Sequence, residues 1–529
     1  MPGMVASSQR AATDVGVAIL RAGGNAADAA VAVAAALNVT EPICTGIGGD
    51  CFALYYDAQT RAVTALNGSG RAPARLTRER IQAMLAAKQL ADWPPYHALT
   101  VTVPGACAGW FDMIARHGTM PMSAILAPAI ELAEDGFPVG AICAHFWQWG
   151  LDHQGRETDM SQLMIDGRAP RAGERFRNPG LARTFRAIAA GGPEAFYRGE
   201  IAQAIVHVLE ASGGAMAASD LASHASTWDE PISTTYRGIR VWECPPNGQG
   251  ITALMALNLL EGYELAGQAP LGPDRVHLVT EALRVAFADS RWYVADPRVS
   301  KVPVAELISK DYAARRRALI DPRRAAADVA HGAPVAGSDT VYFCVVDGRG
   351  NACSFINSNY LGFGTGIMPA GCGFTLQNRG HNFRLDPEHP NAVAPGKRPY
   401  HTIIPGMMTR DDGSLYAPFG VMGGFMQPQG HVQVVVGLLD DGAEPQAVLD
   451  RPRLCVEPVD GQVVLALEEG IPAATTAELR ARGHRVHPEV SGNDRALFGR
   501  GQIIRRERDG RLTAGSDPRG DGYAAGTDD

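Results

Sequence analysis

The segment from Ala26 to Leu37 is almost entirely Ala and Val, with Asp28 as its only charged residue. Ala favours helix, and Asn25 immediately before the run is a strong helix cap. A helix with so little polar face cannot lie on a surface, so it has to be covered on all sides within a layered core. The segment before it, Ala11 to Leu20, carries apolar residues at helical spacing and stops at Arg21-Ala22-Gly23-Gly24, where glycine closes the helix.

The rest of the chain alternates strand and helix signals. Gly46-Ile47-Gly48-Gly49-Asp50 is a turn leading into Cys51–Tyr56 and Ala62–Leu66, a hairpin of buried strands. Residues 105 to 330 are mostly helical by period, most clearly Val276 to Tyr293. Leu319 to Gly337 has little to bury and is expected to be an exposed, loosely held linker. Beyond it, Val341–Val346, the turn Asp347-Gly348-Arg349-Gly350 and Ala352–Ile356 form a hairpin starting at Thr340. Further strands are expected at Tyr416–Val421 and Gln462–Leu467, with helices at Gln427–Leu439 and Ala473–Arg482. The pattern is sheet between helical layers, with the linker dividing the chain into residues 1–339 and 340–529.

Composition removes several function classes. With 46% hydrophobic and 20% charged residues, the 529-residue chain has the balance of a globular protein. Its 48 Lys and Arg against 56 Asp and Glu leave no basic surplus for a nucleic-acid backbone. The nine cysteines are scattered without a C-x-x-C pair and are expected to be buried thiols in a reducing compartment. The N-terminus lacks the basic and apolar stretches of a secretory signal, and no window reaches the ~18 apolar residues of a membrane span. A cytoplasmic protein with no membrane or nucleic-acid partner is expected.

Common catalytic motifs are absent: there is no phosphate-binding G-x-x-x-x-G-K-[ST], no H-E-x-x-H and no G-x-S-x-G. The glycine-rich stretches do not complete a dinucleotide fingerprint, and the 14 histidines lack metal-ligand spacing, so neither cofactor nor metal is expected. The informative junction is Gly337-Ser338-Asp339-Thr340, where the linker meets a strand opening with a hydroxyl residue. Cutting before Thr340 would give it a free α-amine of pKa near ~8, able to take the proton from its own hydroxyl. The plainer reading, a β-branched residue at a strand start, stays open on spacing alone.

Gly3–Ser7, Leu20–Val31, Thr340 through Asn351, Phe363–Gly366, Gly396–Pro399, Met422-Gly-Gly424 and Ser516–Arg519 occur in an order that resembles the γ-glutamyltransferase (glutathione hydrolase) family over nearly the whole chain. The resemblance implies an α+β fold of the N-terminal-nucleophile hydrolase type, an αββα sandwich made as one precursor. That precursor cleaves itself before Thr340 into a large part, 1–339, and a small part, 340–529, which remain associated. It further implies that Thr340 attacks a small-molecule amide to form an acyl-enzyme, resolved by water or an acceptor amine. Ser358 matches a hydroxyl position beside the nucleophile, and Gly423 and Gly424 match the pair whose N–H groups hold the oxyanion.

The substrate positions depart from the family pattern. The Arg that grips the α-carboxylate is replaced by Ser69, with Arg71 two residues on. Tyr360 stands for an Asn, Arg379 for a Gln and Asn382 for an Asp, while His401 and Thr402 replace two serines. Losing that Asp removes the carboxylate that would pair with an ammonium group, and Arg379 and His401 are expected to hold an anion or a polar acyl group. The alternative for those two is exposure or pairing with Asp386 or Glu388. The resulting expectation is an amide hydrolase acting on γ-glutamyl-type or related carboxylate-bearing acyl groups. The alternatives are an oxamate amidohydrolase or glutaryl/cephalosporin-type acylase with little glutathione activity, or an uncleaved, non-catalytic protein.

Overall fold

A computed structural model describes residues 2–153, 159–326, 339–459 and 462–528. Two antiparallel sheets lie face to face, each covered by helices on its outer side. The first has seven strands in the order Tyr523–Gly526, Met4–Ser7, Asp339–Val346, Ala352–Tyr360, Asp50–Tyr56, Val63–Gly68, Thr227–Asp229. The second has six, in the order Leu512–Ser516, Arg500–Arg506, Leu415–Met422, Gly406–Thr409, Ile239–Glu243, Ile232–Tyr236. Asp339–Val346 packs on Leu415–Met422 and Arg500–Arg506 across the interior. The helices Arg10–Arg21 and Ala26–Thr40 cover the first sheet, and Gly250–Leu260 and Met426–Leu439 cover the second. This is the αββα sandwich.

The helix Ala26–Thr40 lies directly against Asp339–Val346 and Ala352–Tyr360, and all of its residues are buried. Asn25 Oδ1 accepts the N–H groups of Ala27 and Asp28, and Asp28 Oδ2 accepts the Asn25 N–H, so both ends of a capping box are closed. Asp347, in the turn after Asp339–Val346, accepts the Ala26 N–H at 3.1 Å and ties that turn to the helix start. All nine cysteines are buried thiols. No helix among the described residues is long and apolar enough to cross a membrane.

The expected hairpins and helices are present, with Asp339 rather than Thr340 opening its strand. The region 105–330 is less uniformly helical than its periodicity predicts. It contributes Thr227–Asp229, Ile232–Tyr236 and Ile239–Glu243 to the two sheets. Those strands are short and only partly buried, and the last two join at Arg237-Gly238, both with positive φ, so no Asn-Gly turn announces them. The expected linker is anchored at its start, where Ala325 donates to Arg482 O at 2.8 Å and Ala326 to Glu281 Oε2 at 3.0 Å. Its remainder, 327–337, falls outside the described residues.

Candidate active site

Thr340 sits in an interior strand of the first sheet, the third of seven, and is fully buried in the continuous chain. The neighbouring strand pairs Asn357 with Val341 and Tyr360 with Asp339, so two residues are accommodated as a bulge opposite Thr340. The bulge turns Ser358 toward the threonine, with Ser358 Oγ 2.9 Å from Thr340 Oγ1. It also holds Tyr360 at φ +78°, a conformation rarely adopted outside glycine. The Tyr360 N–H donates to Ser358 Oγ at 2.9 Å.

Arg379 approaches from the short helical turn Arg379–Asn382 and is completely enclosed. Its guanidinium donates to Ser358 Oγ at 3.1 Å and to Thr402 Oγ1 at 2.6 Å, lies 4.6 Å over the Tyr360 ring, and has Nε 3.8 Å from Asp50 Oδ2. Asp50 begins the next strand, in register with Ser358. Thr340, Ser358 and Asp50 therefore lie across three adjacent strands, with Arg379 spanning the last two. Asp50 Oδ2 also accepts from His401 Nε2 at 3.0 Å, and Oδ1 accepts the Gly70 N–H at 3.0 Å.

Burial dominates the electrostatics. It raises Asp50 to about 6 even though Arg379 and the Gly70 and Gly105 amides favour the carboxylate. Burial lowers Arg379 to about 10, with Asp50 acting against the shift. His401 is driven well below its ordinary value by burial and by the guanidiniums of Arg379 and Arg398. It is a neutral imidazole, with Nε2–H on Asp50 and Nδ1 toward the Ile403 N–H at 3.4 Å. This corrects the expectation that Arg379 and His401 present an anion site. His401 carries no charge, and Arg379 is engaged by Ser358, Thr402, Tyr360 and Asp50. Their partner is Asp50, not Asp386 or Glu388.

Gly423 and Gly424 form the link between Leu415–Met422 and Met426–Leu439, with φ of +132° and +58°. Gly424 O and Thr402 O both accept from Gln249 Nε2, at 2.8 and 2.6 Å, which fixes the glycine pair relative to the Arg379 cluster. Among the described residues, neither glycine N–H has an acceptor, so both are available to a negative oxygen. Tyr360 and Asn382 share the wall of an adjoining cavity of about 220 Å³ with Arg291, Arg384, Tyr400 and Phe425. Arg71 lies elsewhere: it donates to Ala225 O at 3.5 Å and faces Arg298, Asp296 and Asp229.

Of the residues expected at the site, the structure brings Thr340, Ser358, Arg379, His401 and Thr402 into one cluster and sets the Arg71 side chain apart from it. Sequence reasoning missed Asp50, although an acidic residue closing the glycine-rich turn 46–49 was a visible signal.

Comparison with known proteins agrees with the fold. The γ-glutamyltranspeptidase family model matches residues 12–527. The chain is 36% identical over 528 residues to the glutathione hydrolase-like YwrD proenzyme of Bacillus subtilis, covering 99% of this chain and 98% of the relative. It is 34% identical over 536 residues to the oxamate amidohydrolase proenzyme of Klebsiella pneumoniae, covering 99% and 98%. The crystal structure of a cephalosporin acylase from Bacillus halodurans superposes with a TM-score of 0.90 at 45% identity, covering 99% of this chain and 95% of that one. With the sandwich, the ordered motifs and a full-length match in agreement, the chain belongs to the γ-glutamyltranspeptidase family.

Proposed function

We propose that this protein is an amide hydrolase that cuts its own chain between Asp339 and Thr340 and then uses Thr340 as its nucleophile. The observation that carries the reading is the Thr340–Ser358 hydroxyl pair at 2.9 Å, held in the middle of a sheet beside an enclosed guanidinium. In self-cleavage the Thr340 hydroxyl attacks the Asp339 carbonyl carbon, the acyl group shifts from nitrogen to oxygen so that an ester forms and the α-amine is freed, and water hydrolyses the ester to give the Asp339 carboxylate and the free Thr340 hydroxyl. That amine then takes the Thr340 hydroxyl proton as the oxygen attacks a substrate amide. The tetrahedral oxyanion faces the N–H groups of Gly423 and Gly424. Collapse expels the amine with a proton, and water, or an acceptor amine, resolves the acyl-threonine ester.

Both sheets are built from both sides of the cut. Asp339–Val346 is flanked by Met4–Ser7, and Gly406–Thr409 pairs with Ile239–Glu243. Their ladder hydrogen bonds survive cleavage and hold a large and a small part together. The acyl group is expected to carry a carboxylate, as γ-glutamyl, oxamyl and glutaryl groups do. Asn382 at the cavity wall offers no negative charge to an ammonium, which favours acyl groups without one.

Intact-mass measurement under denaturing conditions, with Thr340→Ala alongside, tests the nucleophile. Fragments of 339 and 190 residues are expected from the wild type and a single chain from the variant. An uncut chain in both would overturn the reading. Ammonia release from oxamate and chromophore release from γ-glutamyl- and glutaryl-p-nitroanilide then rank the acyl groups.

A further inference from the structure

Gln249 stands directly before the helix Gly250–Leu260, at its N-cap, yet its side chain makes no capping bond. The residue is fully buried, and a buried amide needs partners for its donors and its acceptor. Nε2 donates to Thr402 O at 2.6 Å and to Gly424 O at 2.8 Å, and Oε1 accepts the Tyr400 O–H at 3.0 Å. Both acceptors of Nε2 are carbonyls, which cannot donate, so the orientation of the amide is fixed. The backbone is tied down as well. The Gln249 N–H donates to His401 O at 3.0 Å, the His401 N–H donates to Asn247 O at 2.9 Å, and Asn247 Nδ2 donates to Pro399 O at 2.8 Å. Residues 247–249 are thereby stitched along 399–402.

The glycine pair is the part of the site that requires such a hold. Glycine populates φ on both sides of zero, so the peptide planes of two successive glycines turn easily unless their carbonyls are fixed. The first turn of Met426–Leu439 fixes them from one side, with Gly423 O accepting the Met426 N–H at 2.9 Å and Gly424 O the Gln427 N–H at 3.2 Å. Gly423 is also backed by Gly499, whose Cα lies 3.1 Å from where a Cβ on Gly423 would sit. Gln249 adds the side-chain donor to Gly424 O and, through the same nitrogen, ties it to Thr402 of the Arg379 cluster. Oxyanion stabilisation depends on donors already aimed where charge develops, so an amide that swings away weakens the transition state and leaves ground-state binding little changed.

Gln249 belongs to residues 1–339, whereas Tyr400, Thr402 and Gly424 belong to 340–529. The three side-chain bonds of Gln249 described above all cross the proposed cut. We infer that Gln249 is the positioning residue of the oxyanion glycines, aiming the amides of the small part from the large part. The inference rests on the Thr340 reading and goes beyond it by giving the large part a share in the rate of acyl transfer.

The test uses whichever of oxamate, γ-glutamyl-p-nitroanilide and glutaryl-p-nitroanilide the wild type turns over fastest. Gln249→Met keeps the length of the side chain and removes both donors. It should still cut itself into two fragments, which reports that it has folded. Its kcat should fall by about 10- to 100-fold while KM stays within about threefold. A phosphonate analogue of the same substrate, tetrahedral and anionic at the position of the amide carbonyl, should lose affinity by the same factor as kcat. Tyr400→Phe removes only the hydroxyl that holds Oε1 and should move kcat and phosphonate affinity several-fold in the same direction. Should Gln249→Met remain uncut, Tyr400→Phe carries the comparison.

A purely packing role would lower the urea midpoint or the cut fraction and leave both kcat per cut enzyme and phosphonate affinity in place. That result, or a fall in kcat that the phosphonate does not mirror, overturns the role of Gln249 while the Thr340 reading stands. An uncut wild type, or a cut one silent on all three amides, removes the Thr340 reading and this inference with it.

Discussion

Replacing Asp50 with Asn should stabilise the folded protein at neutral pH, although it removes a carboxylate that sits beside an arginine. Asp50 is fully buried and titrates near 6 in the folded chain, against about 3.9 when unfolded. Between those values the folded state holds the proton more tightly than the unfolded state, so stability from this group falls as pH rises from about 4 to 6 and then levels off. Two pKa units correspond to about 3 kcal/mol. Asn mimics the protonated side chain and escapes this penalty. It still accepts the Gly70 N–H, but His401 must move its proton to Nδ1, weakening an Ile403 contact that is already 3.4 Å long. A net gain of about 2 kcal/mol at pH 7.5, shrinking toward zero near pH 4, is the expectation. Urea unfolding of the Thr340→Ala chain with and without Asp50→Asn, from pH 4.5 to 8, measures it. Lower stability of the Asn variant at pH 7.5, or a difference independent of pH, would refute the argument that burial outweighs Arg379. Turnover in the cleaved enzyme should fall, since Asp50 is the anion that holds Arg379 and His401, an exchange of stability for function.

Three further outcomes are expected. Ser358→Ala removes the partner of Thr340 Oγ1 and the acceptor for Arg379 and the Tyr360 N–H. It should cost about 1–3 kcal/mol and at least tenfold in kcat/KM, and Ser358→Thr should restore most of the activity. Gly423→Ala places a Cβ at φ +132°, 3.1 Å from Gly499 Cα, so strain of about 1–3 kcal/mol and a fall in kcat larger than any change in KM should appear in steady-state kinetics. Asn25→Ala opens the capping box of the helix Ala26–Thr40 and should lower the urea unfolding free energy by about 0.5–2 kcal/mol with kcat unchanged, because the Asn25 side chain bonds the helix start and His117 O rather than the Thr340 cluster.

Several motifs in the sequence prove to be structural rather than chemical. Arg398 donates to Ser69 O and Thr227 Oγ1, pinning the loop that carries Arg71. Asp517 and Arg519 join Arg453 and Glu468 in a buried ion network linking the second sheet to the small sheet Leu454–Val459, Gln462–Glu468, Val486–Val490. Their regularity in the sequence marked the family without separating packing from catalysis.

What the sequence determined alone was local. The uniformly apolar run after Asn25 had to be a covered helix, β-branched and aromatic residues on both sides of Asp347-Gly348 had to be a hairpin, and a hydroxyl residue near its start stood where a nucleophile could form. Hydrophobic period and turn chemistry act over a few residues, and these features need nothing more. The electrical character of the site was decided only by the tertiary structure. His401 meets Asp50 across 351 residues of chain, and Arg379 meets Ser358 across 21. Whether a histidine is neutral, an aspartate titrates near 6 or an arginine is fully enclosed depends on how much water those distant contacts exclude. Desolvation and pairing are properties of the assembled environment, so no single segment of the sequence encodes them.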